Sequence, residues 1–252
     1  MRDGGTGPVR VSVYFGGTSH EIWTNSGLSV SYTGRLEVSA LRDGDGFRAE
    51  APIPARSGDV KADYNEAARS TELAASINSG SAPSLTRAYF AAAAAAAEAF
   101  AGLGDIQALP GRLSRELSGG PEALIVPEVM RLLLDERGAS WEAASDIVAR
   151  CFTLRVEEGV RDARVPLGAV AALQPRDAGL IRAVNEKLCG RLWDTYPGDW
   201  LRIGENAVVR DGEVDLVTLC AACCGQIICT KERRAGSLRA MYTLMPARFG
   251  DI

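Results

Sequence analysis

The sequence predicts an α/β protein, and three observations carry that prediction. Apolar residues alternate with period two near the start, helical periodicity runs through the middle, and a short, almost wholly apolar run lies near the end. A net charge of −4, 46% apolar residues and 24% charged residues over 252 positions fit one globular α/β domain.

In "VRVSVYFGG", Val9, Val11, Val13 and Phe15 alternate inward as in a half-buried strand that ends at a glycine turn. "GRLEVSAL" repeats the pattern with Leu36, Val38 and Ala40. The polar "TSHEIWTNSG" between them reads as the connection of an extended hairpin. "APIPARSGD", with Pro52 and Pro54, reads as an irregular loop, so residues 1–60 form a β-rich part and 61–252 a helical and α/β part of a single domain. "SLTRAYFAAAAAAAEAF" predicts a helix capped by Ser84 and ended near Gly102. In "PEALIVPEVMRLLLDERG", Leu124, Val126, Val129, Met130, Leu133 and Leu134 share one helix face, with Pro127 in the first turn and Gly138 as the stop. Ser140 then caps another helix, with Ala143 where a capping box has Glu or Gln. "DAGLIRAVNEKLCGRLWDTYPGD" places Leu180, Val184, Leu188 and Leu192 at helical spacing. "EVDLVTLCAACC" suits a strand buried on both faces, and "QIICTKERRAGSLRAMYTLMP" suits a helix and its continuation.

The overall charge offers no attraction for nucleic acid or anionic membranes. No apolar run reaches the roughly 20 residues that span a bilayer, and "MRDGGTGPVR" has no apolar signal core. The expected compartment is the cytoplasm, with the six cysteines reduced.

"IVPEVMRLLLDERGASWEAASDIV" resembles the glycogen and maltodextrin phosphorylase family, whose helix reads I-P-E-L-M-R before W-x-x-A-W. Pro127, Glu128, Met130, Arg131, Asp135, Trp141 and Ala144 stand at the matching positions. "LTRAYFAAAAAAAEAF" is similar to L-K-Q-E-Y-F-x-V-A-A, and "IRAVNEKLCGRLWDTYPGDWLRI" to I-x-x-I-N-x-x-F-L followed by F-P-G-D. "VDLVTLC", "PVRVSVYFGG" and "APIP" are similar to N-M-A-H-L-C, P-V-H-F-Y-G and T-P-I-P, in the same order. The resemblance implies a fragment of a glycosyltransferase-B-type lobe: a mostly parallel sheet flanked by helices, with an N-terminal β-hairpin region. It covers the second half of the family's N-terminal lobe.

The same resemblance implies that the old chemistry is missing. The family binds pyridoxal phosphate through a lysine of a later domain, and its phosphate-binding glycine loop lies upstream, so no cofactor is expected here. "DGGTG" precedes a strand with no helix after it, which is the wrong context for a phosphate cradle. The family's T-H-P becomes Gly119-Gly120-Pro121, its sugar-contacting N-H-T becomes Val156-Glu157-Glu158, and its G-S-H becomes Cys223-Cys224-Gly225. His20, in the predicted loop, is the one histidine left.

Five features remain as candidates. "LCAACCGQIICT" holds four cysteines without zinc-ribbon spacing, so they read as packed core thiols, reactive thiols or a metal site; no metal site is expected. Cys224 is the reactive candidate, because the carboxyl ends of sheet strands hold ligands and a following helix would lower its pKa. Glu157 and Glu158 are candidates for holding sugar hydroxyls or for general acid–base work, against a solvated loop pair. Gly119, Gly120, Gly225 and Gln226 are the ligand-binding candidates of the crevice. The basic cluster "TKERRAG" and His20 complete the set, each against a solvated role. The expected function is that of a stand-alone pseudoenzyme that binds a sugar-derived ligand or another subunit, with self-association likewise expected. The alternatives are a repurposed cofactor-independent enzyme of secondary metabolism and one chain of a split glycosyl-transferring enzyme.

Overall fold

The computed structural model describes residues 9–24, 27–52, 60–157 and 163–251. The chain divides into two compact units, residues 1–102 and 103–252.

The first unit runs β1 (Arg10–Phe15), β2 (Thr18–Thr24), β3 (Gly27–Thr33), β4 (Leu36–Asp43), β5 (Gly46–Glu50), α1 (Val60–Ser79) and α2 (Ser84–Phe100). β1 and β4 pair antiparallel with Val13 opposite Val38, and β5 extends the sheet on the far side of β4. Val11, Val13, Phe15, Val38 and Ala40 are buried as the alternation requires, but Val9 precedes the strand and is 41% exposed. The expected polar connection is itself a ribbon: β2 and β3 pair antiparallel from Thr18–Thr33 to Thr24–Gly27. Most of its described side chains are solvated, so β-prone Ser, Thr, Ile and Tyr residues sit there without an apolar period. Ala92 to Ala96 and Ala99 are all buried in α2, whose small side chains let β1 lie close to the helix. Tyr89 Oη donates to the Tyr14 carbonyl at 3.0 Å. Ser84 is the first helical residue rather than the cap, a place taken by Pro83. Pro54 falls outside the described residues.

The second unit opens with a 3-10 turn (Ile106–Gly111), β6 (Arg115–Leu117), a second 3-10 turn (Pro121–Leu124), α3 (Ile125–Arg131), a π-helical turn (Leu132–Glu136), α4 (Trp141–Cys151) and β7 (Phe152–Val156). It continues with β8 (Arg164–Pro166), α5 (Leu167–Leu173), α6 (Pro175–Thr195), α7 (Trp200–Glu205), β9 (Val209–Arg210), β10 (Glu213–Asp215) and α8 (Leu216–Cys223). It closes with β11 (Gln226–Cys229), α9 (Lys231–Ala235), α10 (Arg239–Leu244), a 3-10 turn (Pro246–Arg248) and β12 (Phe249–Asp251). β6, β7, β11 and β12 form a parallel sheet in the order β12-β11-β7-β6, with helices in the crossovers. β8, β10 and β9 make a small antiparallel sheet. The chain is therefore α/β, with a helix-flanked parallel sheet and antiparallel strands near its start.

Two expectations are corrected near the end. The run "LVTLCAAC" is helix α8, not a buried strand, and Asp215 caps it by accepting from the Thr218 N–H at 2.9 Å. A short apolar run fits a buried helix and a buried strand equally well, and the cap decides between them. The strand is instead "QIIC", which was expected to be helical. Other local expectations hold. Pro127 lies in the first turn of α3, Gly138 has φ +64°, and Ser140 caps α4 by accepting from the Ala143 N–H at 3.2 Å. Leu180, Leu188 and Leu192 of α6 are buried.

Under this layer lie two buried forked ion pairs. Arg131 donates to both carboxylate oxygens of Glu128 at 2.9 and 2.8 Å. Arg176 does the same to Asp135 at 3.0 and 2.9 Å. Asp177 is fully buried beside them; no partner is assigned to its carboxyl oxygens as a carboxylate among the described residues, but a protonated Asp177 is within reach of a hydrogen bond to Glu128. Burial, then the Glu128 and Asp135 carboxylates, push its pKa well above the usual carboxylate range against the pull of Arg131.

Candidate functional site

Three parallel strands end close together at Leu117, Val156 and Cys229. At such carboxyl ends the chain leaves the sheet, and α/β folds collect ligands there. A cleft of about 400 Å³ opens beside the ends of β6 and β7, lined by Glu116, Leu117, Ser118, Glu122, Arg155 and Glu157.

Glu122 is the most firmly held of these groups. Its Oε1 accepts from the Ser118 Oγ at 2.7 Å, the Ser118 N–H at 3.0 Å and the Gly120 N–H at 3.0 Å. Burial works to raise its pKa, but these hydrogen bonds outweigh it and hold the carboxyl below its usual range. Glu122 is thus an oriented carboxylate with Oε2 left over. The Arg155 Nε is engaged by Glu116 Oε1 at 2.7 Å, leaving Glu157 as the exposed carboxylate at the end of β7.

The geometry explains the two glycines. Gly119 has φ +81°, and a Cβ there would meet Val217 Cγ2 of α8 at 2.5 Å. Residue 119 is therefore fixed as glycine by both its backbone and its contact. Gly120 supplies one N–H to Glu122.

The sequence candidates separate into two groups. Glu157, Gly119 and Gly120 lie at the carboxyl end of the sheet, whereas Cys224, Gly225 and Gln226 lie at its amino end. Because α8 is a helix, Cys224 follows a helix C-terminus and precedes a strand, the reverse of the arrangement expected to activate it. It is fully buried. Its neighbour Cys220 is pushed well above the usual thiol range, first by its hydrogen bond with Cys224 and then by burial. Burial, then Cys224, push Cys223 up to about 12. Gly225 donates to the Ala149 carbonyl at 2.8 Å and packs so tightly that a Cβ would collide with that same oxygen. Gln226 is the first residue of β11. Glu158 falls outside the described residues. His20 is on β2, not in a loop, with Nε2 3.0 Å from the Thr33 Oγ1. Of the basic cluster, Arg234 is committed to Asp251 and the Gly250 carbonyl. No group of three or more His, Cys, Asp or Glu residues able to hold a metal exists among the described residues.

Ser118, Glu122 and Arg155 were not singled out by sequence reasoning. The visible trace is the Ser-Gly-Gly-Pro-Glu spacing, a carboxylate placed to reach back to the N–H groups ahead of a helical turn.

The carbohydrate phosphorylase family model matches residues 75–250, which takes in the cleft and all of the parallel sheet but Asp251. This chain belongs to the carbohydrate phosphorylase family. It is 34% identical over 110 residues to the glycogen phosphorylase of Bacillus subtilis (strain 168), a stretch that is 43% of this chain and 14% of that relative. It is 26% identical over 121 residues to the muscle forms of glycogen phosphorylase from Macaca fascicularis and Homo sapiens, covering 47% of this chain and 14% of each relative. The chain thus spans 14% of the length of the phosphorylases it matches.

The resemblance seen in the sequence therefore stands, and the family motif acquires a physical meaning. Glu128, Arg131 and Asp135 are the buried forks beneath the helical layer, not ligand contacts. Met130 and Trp141 line one cavity between helices. Pyridoxal phosphate does not fit the strand-end cleft. Among the described residues no lysine lines it for a Schiff base, and three carboxylates face a single arginine that is already paired. Among the described residues no helix is long and apolar enough to cross a membrane.

Proposed function

We propose that this chain holds a sugar-derived ligand in the strand-end cleft and does not by itself phosphorolyse glucans. The observation that carries this reading is the pair of carboxylates at one mouth: Glu122, oriented by three hydrogen bonds, and Glu157, exposed beside it. Carboxylate oxygens accept from sugar hydroxyls or from an amino-sugar ammonium, and charged acceptors make the stronger hydrogen bonds. An inorganic phosphate, by contrast, would meet like charge. The positions where the family carries T-H-P, N-H-T and G-S-H have lost their imidazoles, which supports binding without phosphoryl chemistry.

In this reading Glu122 orients the ligand through Oε2, Glu157 closes on a second hydroxyl, and Arg155, tethered by Glu116, walls the site. The distance along the sheet between Glu157 and Cys224 supports binding over an enzyme that uses both groups. In the same reading the protein is cytoplasmic and works with a second copy or a partner subunit. Trp193, Trp200 and Leu201, at 39%, 71% and 74% exposure, support the latter.

Titration calorimetry with glucose, glucosamine and maltotriose tests the reading. At least one sugar binds, and Glu122→Gln and Glu157→Gln each weaken it by about tenfold, the equivalent of 1.4 kcal/mol. If no sugar binds, or both variants bind like the parent, the assignment fails. Incubation with pyridoxal phosphate leaves no near-ultraviolet band on the dialysed protein.

A further inference from the structure

A second cavity lies away from the strand ends, among α4, α6, the end of α8 and the 3-10 turn at Pro246–Arg248. It holds about 200 Å³ and carries the opposite charge. Lys187, Arg191 and Arg248 line it, together with Ser145 and otherwise apolar or aromatic side chains and Cys223; among the described residues no carboxylate does.

The three cations are poorly compensated. The Lys187 Nζ lies 5.2 Å from the centroid of the Trp141 ring. The Arg191 Nη1 donates to the Met245 Sδ at 3.5 Å, and a thioether is a weak acceptor. The Arg248 Nη1 donates to the carbonyls of Ala222 and Cys224 at 3.4 and 3.1 Å, the last carbonyls of α8. None of the three forms an ion pair with a carboxylate among the described residues. Carboxylates outnumber cations in this chain, 32 to 28, yet none of the described ones lines this hollow. Three like charges around one partly apolar hollow repel each other unless something anionic enters.

We propose that this cavity binds a small organic anion, a carboxylate or phosphate monoester carried on an apolar or aromatic body. Arg191 and Arg248 take the headgroup as forked donors, with Lys187 as a point charge beside them. Met130, Val184 and Leu188 take the body. A cavity of roughly 150 Å³ takes a benzene ring, so this hollow of about 200 Å³ suits a single ring with its headgroup. This site is independent of the sugar cleft, since the two share no lining residue.

Calorimetry of the full chain with benzoate, phenyl phosphate and the uncharged benzyl alcohol tests it. One anion binds at one site per chain, benzyl alcohol binds at least about tenfold more weakly, and added salt weakens the anion. A preference for phenyl phosphate identifies a phosphate monoester as the natural headgroup, and a preference for benzoate a carboxylate. Arg191→Gln weakens the preferred anion by about tenfold, with Lys187→Gln as the second variant should the first not fold; both residues are solvent-facing. Failure of both anions to bind, equal binding of benzyl alcohol, or parental affinity in the folded variant overturns the proposal.

Discussion

Two sets of charged residues in the second unit invite comparison. Glu128, Arg131, Asp135 and Arg176 form forked pairs in the interior, with side chains at most 8% exposed. Glu116, Glu122, Arg155 and Glu157 sit at an open mouth. Both sets are carboxylates and guanidinium groups, but the interior ones are all paired, whereas at the mouth only Glu116 meets Arg155 and Glu122 is held by Ser118 and Gly120. Glu128, Arg131 and Asp135 of the first set stand at family motif positions, whereas Glu157 of the second replaces a family position, so what persists most visibly in this sequence is scaffold. A polar residue inside a recognisable motif is not thereby a ligand contact. Here the motif's charges stabilise a layer, and the binding candidates lie where that layer ends.

The comparison can be broken most severely at Glu128. Glu128→Ala leaves Arg131 charged and buried, with Glu136 as a remaining carboxylate partner, and lowers stability by about 3–5 kcal/mol. Urea denaturation reads this as a large drop in midpoint. A loss below about 1 kcal/mol would place the pair outside the core, since surface pairs contribute no more than that.

Gly225→Ala comes next. The new Cβ drives into the Ala149 carbonyl, and overpacking of this kind costs about 1–3 kcal/mol. A neutral result in thermal unfolding would reopen a ligand role for that glycine.

Asp177 sharpens the comparison through pH. Its folded pKa is raised, so between the ordinary Asp value near 4 and the folded value the native state holds a proton that the unfolded chain has released. Stability contributed by that proton is present at low pH and falls as pH rises through this window. Asp177→Asn removes the decline and raises the unfolding midpoint at neutral pH. A variant whose pH profile parallels the parent's would mean that Asp177 does not hold that proton.

The smallest stability effect belongs to the cleft. Glu157→Gln shifts the midpoint by less than about 0.5 kcal/mol, because the side chain is solvated and carries no fold-defining contact. A large loss of stability there would erase the distinction drawn between the two sets.

Much of the fold was legible in the residues. The β1–β4 pairing follows from period-two alternation, and the Pro127, Gly138 and Ser140 punctuation marks the helices about as observed. The β2–β3 ribbon was hidden because its solvated faces leave no apolar period to detect. α8 was hidden because an almost wholly apolar octet has no polar face, and Asp215 was the local cue to its type. That one misassignment moved Cys224, Gly225 and Gln226 from the carboxyl end of the sheet to the amino end. The Glu157 position was legible from the family pattern, whereas Ser118, Glu122 and Arg155 needed coordinates. They come together only when β6 and β7 align in register, with Leu117 opposite Leu154.

Helix α8 has a foot in each compartment of the second unit. Its first turn, through Val217, backs the glycine beside the acidic mouth, and its last residues, Ala222 and Cys223, wall the basic hollow. At 1.5 Å per residue, eight residues make a strut about 12 Å long. The two chambers keep separate linings, yet one short helix borders both, so the spacing between them is set by the length of that strut.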